Sequence, residues 1–161
     1  MKSGSTAAVS LLAVLFATSC NNEPVDPGVR SLVVGMELAY PPFEMRGPDN
    51  KPDGISVRMA EDLADYLGRP LEIRDVEWNG IIPALNSGKI DAIISSMTNT
   101  PERARAITFS DGYVTNGLCM LVSKDSPIQS IADVKPGEHQ LAVKLATTGH
   151  QWARKEIPDV D

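Results

Sequence analysis

Ser87–Tyr113, SGKIDAIISSMTNTPERARAITFSDGY, reads as a buried strand that runs into a polar turn and then a short helix. KIDAIIS is a short apolar run of the kind found in a parallel sheet covered on both faces, and the turn signal Ser87-Gly88 precedes it. Ser95, Ser96, Met97 and Thr98 follow, placing a cluster of hydroxyls at the strand's carboxyl end, where ligands sit in open α/β sheets. Thr100-Pro101 is a helix start, with threonine as N-cap and proline at the first helical position, where its missing N–H costs nothing. Glu102 suits the positive end of the helix dipole. Arg103 does not, because a cation in the first turn opposes it. An anion at this point resolves the misfit, held by the guanidinium, by free backbone N–H groups and by Ser96 or Thr98. The alternative is a solvated face on which Arg103 pairs with Glu102, Asp91 or Asp111, since exposed ion pairs are common and worth roughly 0 to 1 kcal/mol.

The same residues carry a resemblance. Gly88–Ser95, Thr100-Pro101-Glu102-Arg103 and Phe109-Ser110-Asp111-Gly112-Tyr113 resemble the central signature of the family 3 extracellular solute-binding proteins, the amino-acid receptors of ABC importers. Residue types and spacing agree together over the whole stretch. The resemblance implies that Arg103 holds the ligand's α-carboxylate, assisted by the Ser95, Ser96 and Thr98 region. It also implies an α/β, two-lobed periplasmic-binding-protein-like fold, with parallel-rich sheets flanked by helices.

Upstream, Ser31–Met36 reads as a first strand, and ELAYPPFE follows it. Two prolines after Tyr40 stop strand and helix alike, so Tyr40 is held extended at the strand's carboxyl end, as a loop anchor or as the wall of a ligand site. A-x-Y-P-P-F-E after a first strand resembles the family's opening motif. In that motif Tyr40 packs on the bound amino acid, and Glu37 faces its amino or side-chain end, one methylene longer than the aspartate of many relatives. From Gly54 the pattern turns helical: Ile55, Met59, Leu63 and Leu67 recur every four residues, Ser56 is placed to cap the start and Gly68 to stop it. LEIRDV gives a second strand and Asn79–Gly88 a short helix. Trp78 stands between them, as a core residue or, by the resemblance, as the aromatic that sandwiches the ligand against Tyr40. Strand, helix, strand, helix, strand, helix in this order means βαβ units and a parallel sheet.

After Tyr113, Asn116–Ser123 reads as a long buried strand, which in the family crosses between lobes. Ser130–Val134 reads as a short helix, HQLAVK as a strand, and His150–Lys155 as a helix. Leu145-Ala146-Thr147-Thr148-Gly149 resembles the family's G-T-T-G loop with Ala146 in place of the first glycine. There Thr147 and Thr148 offer hydroxyl and backbone donors to the carboxylate from the opposite lobe. Lys144 is either a further polar contact or a surface lysine. Cys119, in the apolar GLCMLV, is expected as a small core hydrophobe.

The 161 residues, 42% of them hydrophobic, suffice for one ordinary core, and a net charge of -6 with no basic patch argues against nucleic acid as a partner. Residues 1–19 read as a targeting segment: Lys2, an apolar Ala7–Ala17 too short to span a bilayer, then Ala17-Thr18-Ser19. With Cys20 next, the segment resembles a bacterial lipoprotein signal. Lipidation of Cys20 would anchor the protein to a membrane on the periplasmic or extracellular side of the cell envelope. Residues 20–28 form a polar tether, 29–115 the first lobe in part, and 116–161 the hinge strand and the start of an incomplete second lobe, so the chain reads as a fragment. The expected partners are a free polar or cationic L-amino acid and an ABC permease. No zinc, GxSxG or cofactor motif occurs, so no cofactor and no metal site is expected. Two other readings are a periplasmic dehydratase of prephenate-like acids on the same scaffold and the ligand-sensing module of a receptor.

Overall fold

The computed structural model describes residues 28–157, so the expected targeting segment, Cys20 and nearly all of the tether lie outside the described residues. Strand β1 (Leu32–Met36) is buried at all five positions and forms the centre of a three-stranded parallel sheet in the order β5-β1-β6, with β5 at Leu71–Asp75 and β6 at Ala92–Ile93. Helix α1 (Ile55–Leu67) connects β1 to β5, and helix α2 (Ile81–Asn86) leads from β5 across to β6 on the far side of β1.

Side chains alternate across a strand, so β1 serves both faces at once. Leu32, Val34 and Met36 pack with Val57, Ala60 and Ala64 of α1, while Val33 packs on the other face with Ile81 and Ala84 of α2 and with Ile90. Each fully buried aliphatic side chain contributes roughly 1.5–3 kcal/mol, and the sheet is covered on both sides. This is why the strands read as near-continuous apolar runs rather than as alternating ones.

Ala39–Tyr40 (β2), Glu44–Arg46 (β3) and Pro52–Asp53 (β4) form a second, small sheet, and this one is antiparallel. Gly54 joins it to α1 at φ 117, in the left-handed region, where an added Cβ would collide with the Phe43 carbonyl. Gly54 is therefore the N-cap, not Ser56 as the sequence suggests. Ser56 is fully buried and spends its hydroxyl elsewhere. The stop at Gly68 is as expected: it is left-handed, and its N–H donates to the Asp65 carbonyl.

The third strand is shorter than KIDAIIS promised, with two residues in the ladder, although Asp91 N–H to Val33 O (2.7 Å) and Ile94 N–H to Gly35 O (3.3 Å) extend the pairing to either side. The short helix α3 (Pro101–Ala104) starts as expected, with Thr100 Oγ1 accepting from Arg103 N–H.

Residues 114–157 depart further from the reading. Asn116–Ser123 and HQLAVK are not strands, and Leu121 is 96% exposed. A strand needs a neighbour for its amides, and none of the described residues provides one. Cys119 is consequently exposed rather than a core residue. The expected helix at Ser130–Val134 is a single 3-10 turn, Ile131–Asp133, and the last helix, α4, runs Thr148–Glu156.

Candidate functional site

β1 turns one way to reach β5 and the chain returns on the other side to β6, so the carboxyl ends of β1 and β6 flank a point where the connections diverge. Ligands in open α/β sheets bind at such a crevice. A cavity of about 460 Å³ opens there. All of the residues expected from the sequence, Glu37, Tyr40, Trp78, Ser95, Ser96, Thr98, Arg103, Thr147 and Thr148, line it together. Glu44, Asn116, Gly117, Leu118 and Lys144 line it as well.

Arg103 is buried, with 6% exposure. Its guanidinium lies over the Trp78 ring, 5.2 Å from the centroid, and donates from Nη1 to the Thr98 carbonyl (2.9 Å) and from Nη2 to the Ala146 carbonyl (3.0 Å). The ion pairs considered in the sequence are not made: Asp91 is taken by Arg30 and Arg69, and among the described residues no carboxylate is paired with Arg103. Burial pulls its pKa below the usual guanidinium value. A desolvated cation held only by neutral carbonyls and a ring face is short of an anion.

Trp78 is half-buried and spends one face on Arg103. Its indole N–H donates to the Ala146 carbonyl at 3.0 Å and its backbone N–H to Glu37 Oε1 at 3.2 Å. Tyr40 is both anchor and wall, stacked on Phe43 with centroids 5.7 Å apart and still 48% exposed on the cavity. Glu37 forms an ion pair with Lys144, so Lys144 belongs to the cavity wall rather than to the outer surface.

Thr147 is the N-cap of α4, accepting from His150 N–H (3.2 Å), and it donates its own hydrogen to the Lys144 carbonyl (2.6 Å). Its hydroxyl is therefore spent. What this loop brings to the cavity is backbone at Thr148 and Gly149 and the Thr148 side chain. Ala146 sits at φ 62, a left-handed conformation that aims its carbonyl at Trp78 and Arg103.

The sequence reading missed Glu44. It closes the A-x-Y-P-P-F-E motif, and the β2–β3 pairing puts it opposite Tyr40. The signal available was an acidic residue flanked directly by the apolar Phe43 and Met45. At 1% exposure it accepts from Ser56 Oγ (2.6 Å) and Ser96 Oγ (2.9 Å) at Oε2, and weakly from Ser95 Oγ (3.5 Å) at Oε1. Burial raises its pKa, the three hydroxyls pull it back in part, and the charge of Glu37 adds to the rise. Among the described residues no cluster of side chains has metal-ligating composition.

Residues 32–156 match the model of the bacterial extracellular solute-binding proteins, family 3. The chain belongs to this family. It is 33% identical over 159 residues to the L-cystine-binding protein TcyJ of Escherichia coli (strain K12), covering 96% of this chain and 59% of that protein. It is 37% identical over 128 residues to the arginine-binding extracellular protein ArtP of Bacillus subtilis (strain 168), covering 80% of this chain and 50% of that one. The crystal structure of the ancestral amino acid-binding protein AncCDT-1, a precursor of cyclohexadienyl dehydratase, superposes with a TM-score of 0.77 at 38% identity, over 81% of this chain and 59% of that chain. The chain thus spans a little over half the length of these relatives. As the resemblance implied, the α/β architecture with a central parallel sheet is that of periplasmic amino-acid-binding proteins; the small antiparallel sheet was not foreseen.

Proposed function

We propose that the protein is the extracytoplasmic substrate-binding component of an ABC amino-acid importer, that it takes a free L-amino acid into the cavity between residues 31–113 and the 144–149 loop, and that it delivers it to a membrane permease. The observation that carries this reading is Arg103: a buried guanidinium on the cavity wall with no carboxylate paired to it among the described residues. A ligand α-carboxylate supplies the missing charge, and charge-assisted hydrogen bonds to it are worth about 1.5–3 kcal/mol each. Tyr40 and Trp78 supply apolar surface, and Thr98 and Thr148 further polar contacts. The ligand class is a polar or cationic amino acid. A ligand cation reaching Glu37 has to compete with Lys144, which favours a neutral polar side chain.

Calorimetric titration of the protein with a panel of L-amino acids tests the reading. Stoichiometric binding without turnover is expected, and R103A weakens it by a hundredfold or more, the equivalent of about 3 kcal/mol. Undiminished affinity in R103A removes the central residue. One observation favours the alternative dehydratase of prephenate-like acids: Glu44 is a carboxyl at the cavity whose raised pKa suits an acid. Release of a modified product in the same titration would establish that reading instead. Anchoring through a lipid on Cys20 is part of the proposal, placing the protein at the cell envelope. Incorporation of labelled fatty acid in the wild type and its loss in C20S is the expected result.

A further inference from the structure

Glu44 is a buried carboxylate that the carboxylate-binding scheme above leaves without a task. An ionised carboxylate only accepts hydrogen bonds, and a serine hydroxyl has one hydrogen to give. Ser96 gives its hydrogen to Glu44 at 2.9 Å. Ser95 accepts from the Glu37 N–H at 3.0 Å and directs its own hydrogen to Glu44. Ser56, from α1, holds the same carboxylate at 2.6 Å from outside the cavity wall. The backbone at Ser96 is left-handed, φ 50, so the hydroxyl's orientation comes from a turn that Glu44 helps to fix.

We infer that Glu44 is a positioning residue that commits the Ser95 and Ser96 hydroxyls as acceptors, so that this wall of the cavity takes the ammonium group of a bound amino acid while Arg103 takes the carboxylate. The inference rests on the amino-acid-binding reading and sharpens it. Ser96 is no longer a donor to the ligand's carboxylate, because its hydrogen is already given away. Two negative groups stand behind the acceptor wall, Glu44 and Glu37, and Lys144 cancels only the second. The charged and titratable groups around Glu44 are Glu37 at the end of β1 and Tyr113 from the segment after α3, with Arg103 and Lys144 on the same cavity. Ammonium binding favours the ionised form of Glu44. Affinity therefore stands at its plateau above the carboxyl's raised pKa and falls as the pH drops through it.

The test is the discrimination between an amino acid and its analogue lacking the amino group. The tightest-binding member of the L-amino-acid panel and its deamino acid are titrated into wild type, E44Q and S96A across the acid range. E44Q preserves shape and leaves one amide oxygen to accept from Ser56 and Ser96, but it removes the charge and replaces the acceptor that faces Ser95 with a donor. It is expected to lower the preference for the amino acid roughly tenfold, about one charge-assisted hydrogen bond, and to flatten the acid limb of its pH profile. S96A removes the acceptor itself and should cost a similar factor, with no need for E44Q to fold. An unchanged preference and pH profile in E44Q, or in S96A should E44Q not fold, overturns the inference and leaves the binding function standing. Failure of the wild type to bind any amino acid overturns both.

Discussion

In residues 31–113 the apolar side chains are divided between the two faces of one sheet, with Val34 and Met36 at 0% exposure. In residues 114–157 no strand forms, Leu118, Leu121, Val143 and Leu145 are exposed, and the buried apolar side chains are Val134 and Ala153. The first region is held by its own core. The second is held against the first at the cavity, by Lys144 on Glu37 and by the Ala146 carbonyl under Trp78 and Arg103. The division suits a binding cleft, in which one wall is fixed and the other rests on a few polar contacts that a hinge can make and break. Local stability should follow the same line, highest where apolar contacts are dense.

The largest effect that would break this contrast comes from two truncations made in parallel. Met36→Ala opens a cavity behind β1 and should cost about 2–5 kcal/mol, whereas Leu121→Ala removes a side chain already in water and should change stability by under about 0.5 kcal/mol. Chemical denaturation measures both. Equal losses would mean that the second region has a core of its own.

The same contrast explains what was legible in the sequence. SLVVGM and KIDAIIS could be read because both faces of their sheet are covered within the described residues, by α1 and α2, so apolar content and burial coincide. GLCMLV has the same composition and reads the same way, yet it is exposed, because β-propensity expresses a fit to neighbouring strands rather than a property of the segment. One wall of the cavity was legible because its residues stand just after strands, where topology gathers chemistry: Glu37 after β1, Trp78 after β5, Ser95 after β6; Thr147 and Thr148 follow no strand, and only the family resemblance pointed to them. Glu44 was not legible, since its partners Ser56 and Ser96 lie 12 and 52 residues away and only the folded backbone brings them together. Ser56 was misassigned for the same reason. A serine near a helix start is by habit a cap, but here the Gly54 backbone sets the start and frees the hydroxyl for Glu44.

A smaller effect sharpens the comparison at the cavity. Lys144 is half-exposed and its pair with Glu37 is open to screening, so Lys144→Ala should cost under about 1 kcal/mol of global stability. Its consequence should be local. Hydrogen exchange is expected to rise at residues 144–149, at β1 to stay unchanged, and in high salt the wild type should approach the variant. Faster exchange in β1 would show that the two regions are not separable in this way.

The smallest expected effect concerns the residue on which the second region turns toward the first. Ala146 occupies the left-handed region at φ 62, which costs a residue with a Cβ roughly 1–2 kcal/mol. The family's loop carries glycine at the corresponding position of G-T-T-G, and glycine has no such cost. Ala146→Gly also frees the unfolded chain, which takes back about 0.4–1 kcal/mol. The balance is a gain of roughly 0.5 kcal/mol, or about 1–2 °C in Tm for a chain of this size. The sign is informative: if the Ala146 carbonyl reaches Trp78 and Arg103 only because the backbone is left-handed, glycine holds that geometry at lower cost and the melting temperature rises. A fall in Tm would mean that the alanine's stiffness in the unfolded chain outweighs its strain in the fold, and that the loop is not held at the cavity by its backbone conformation.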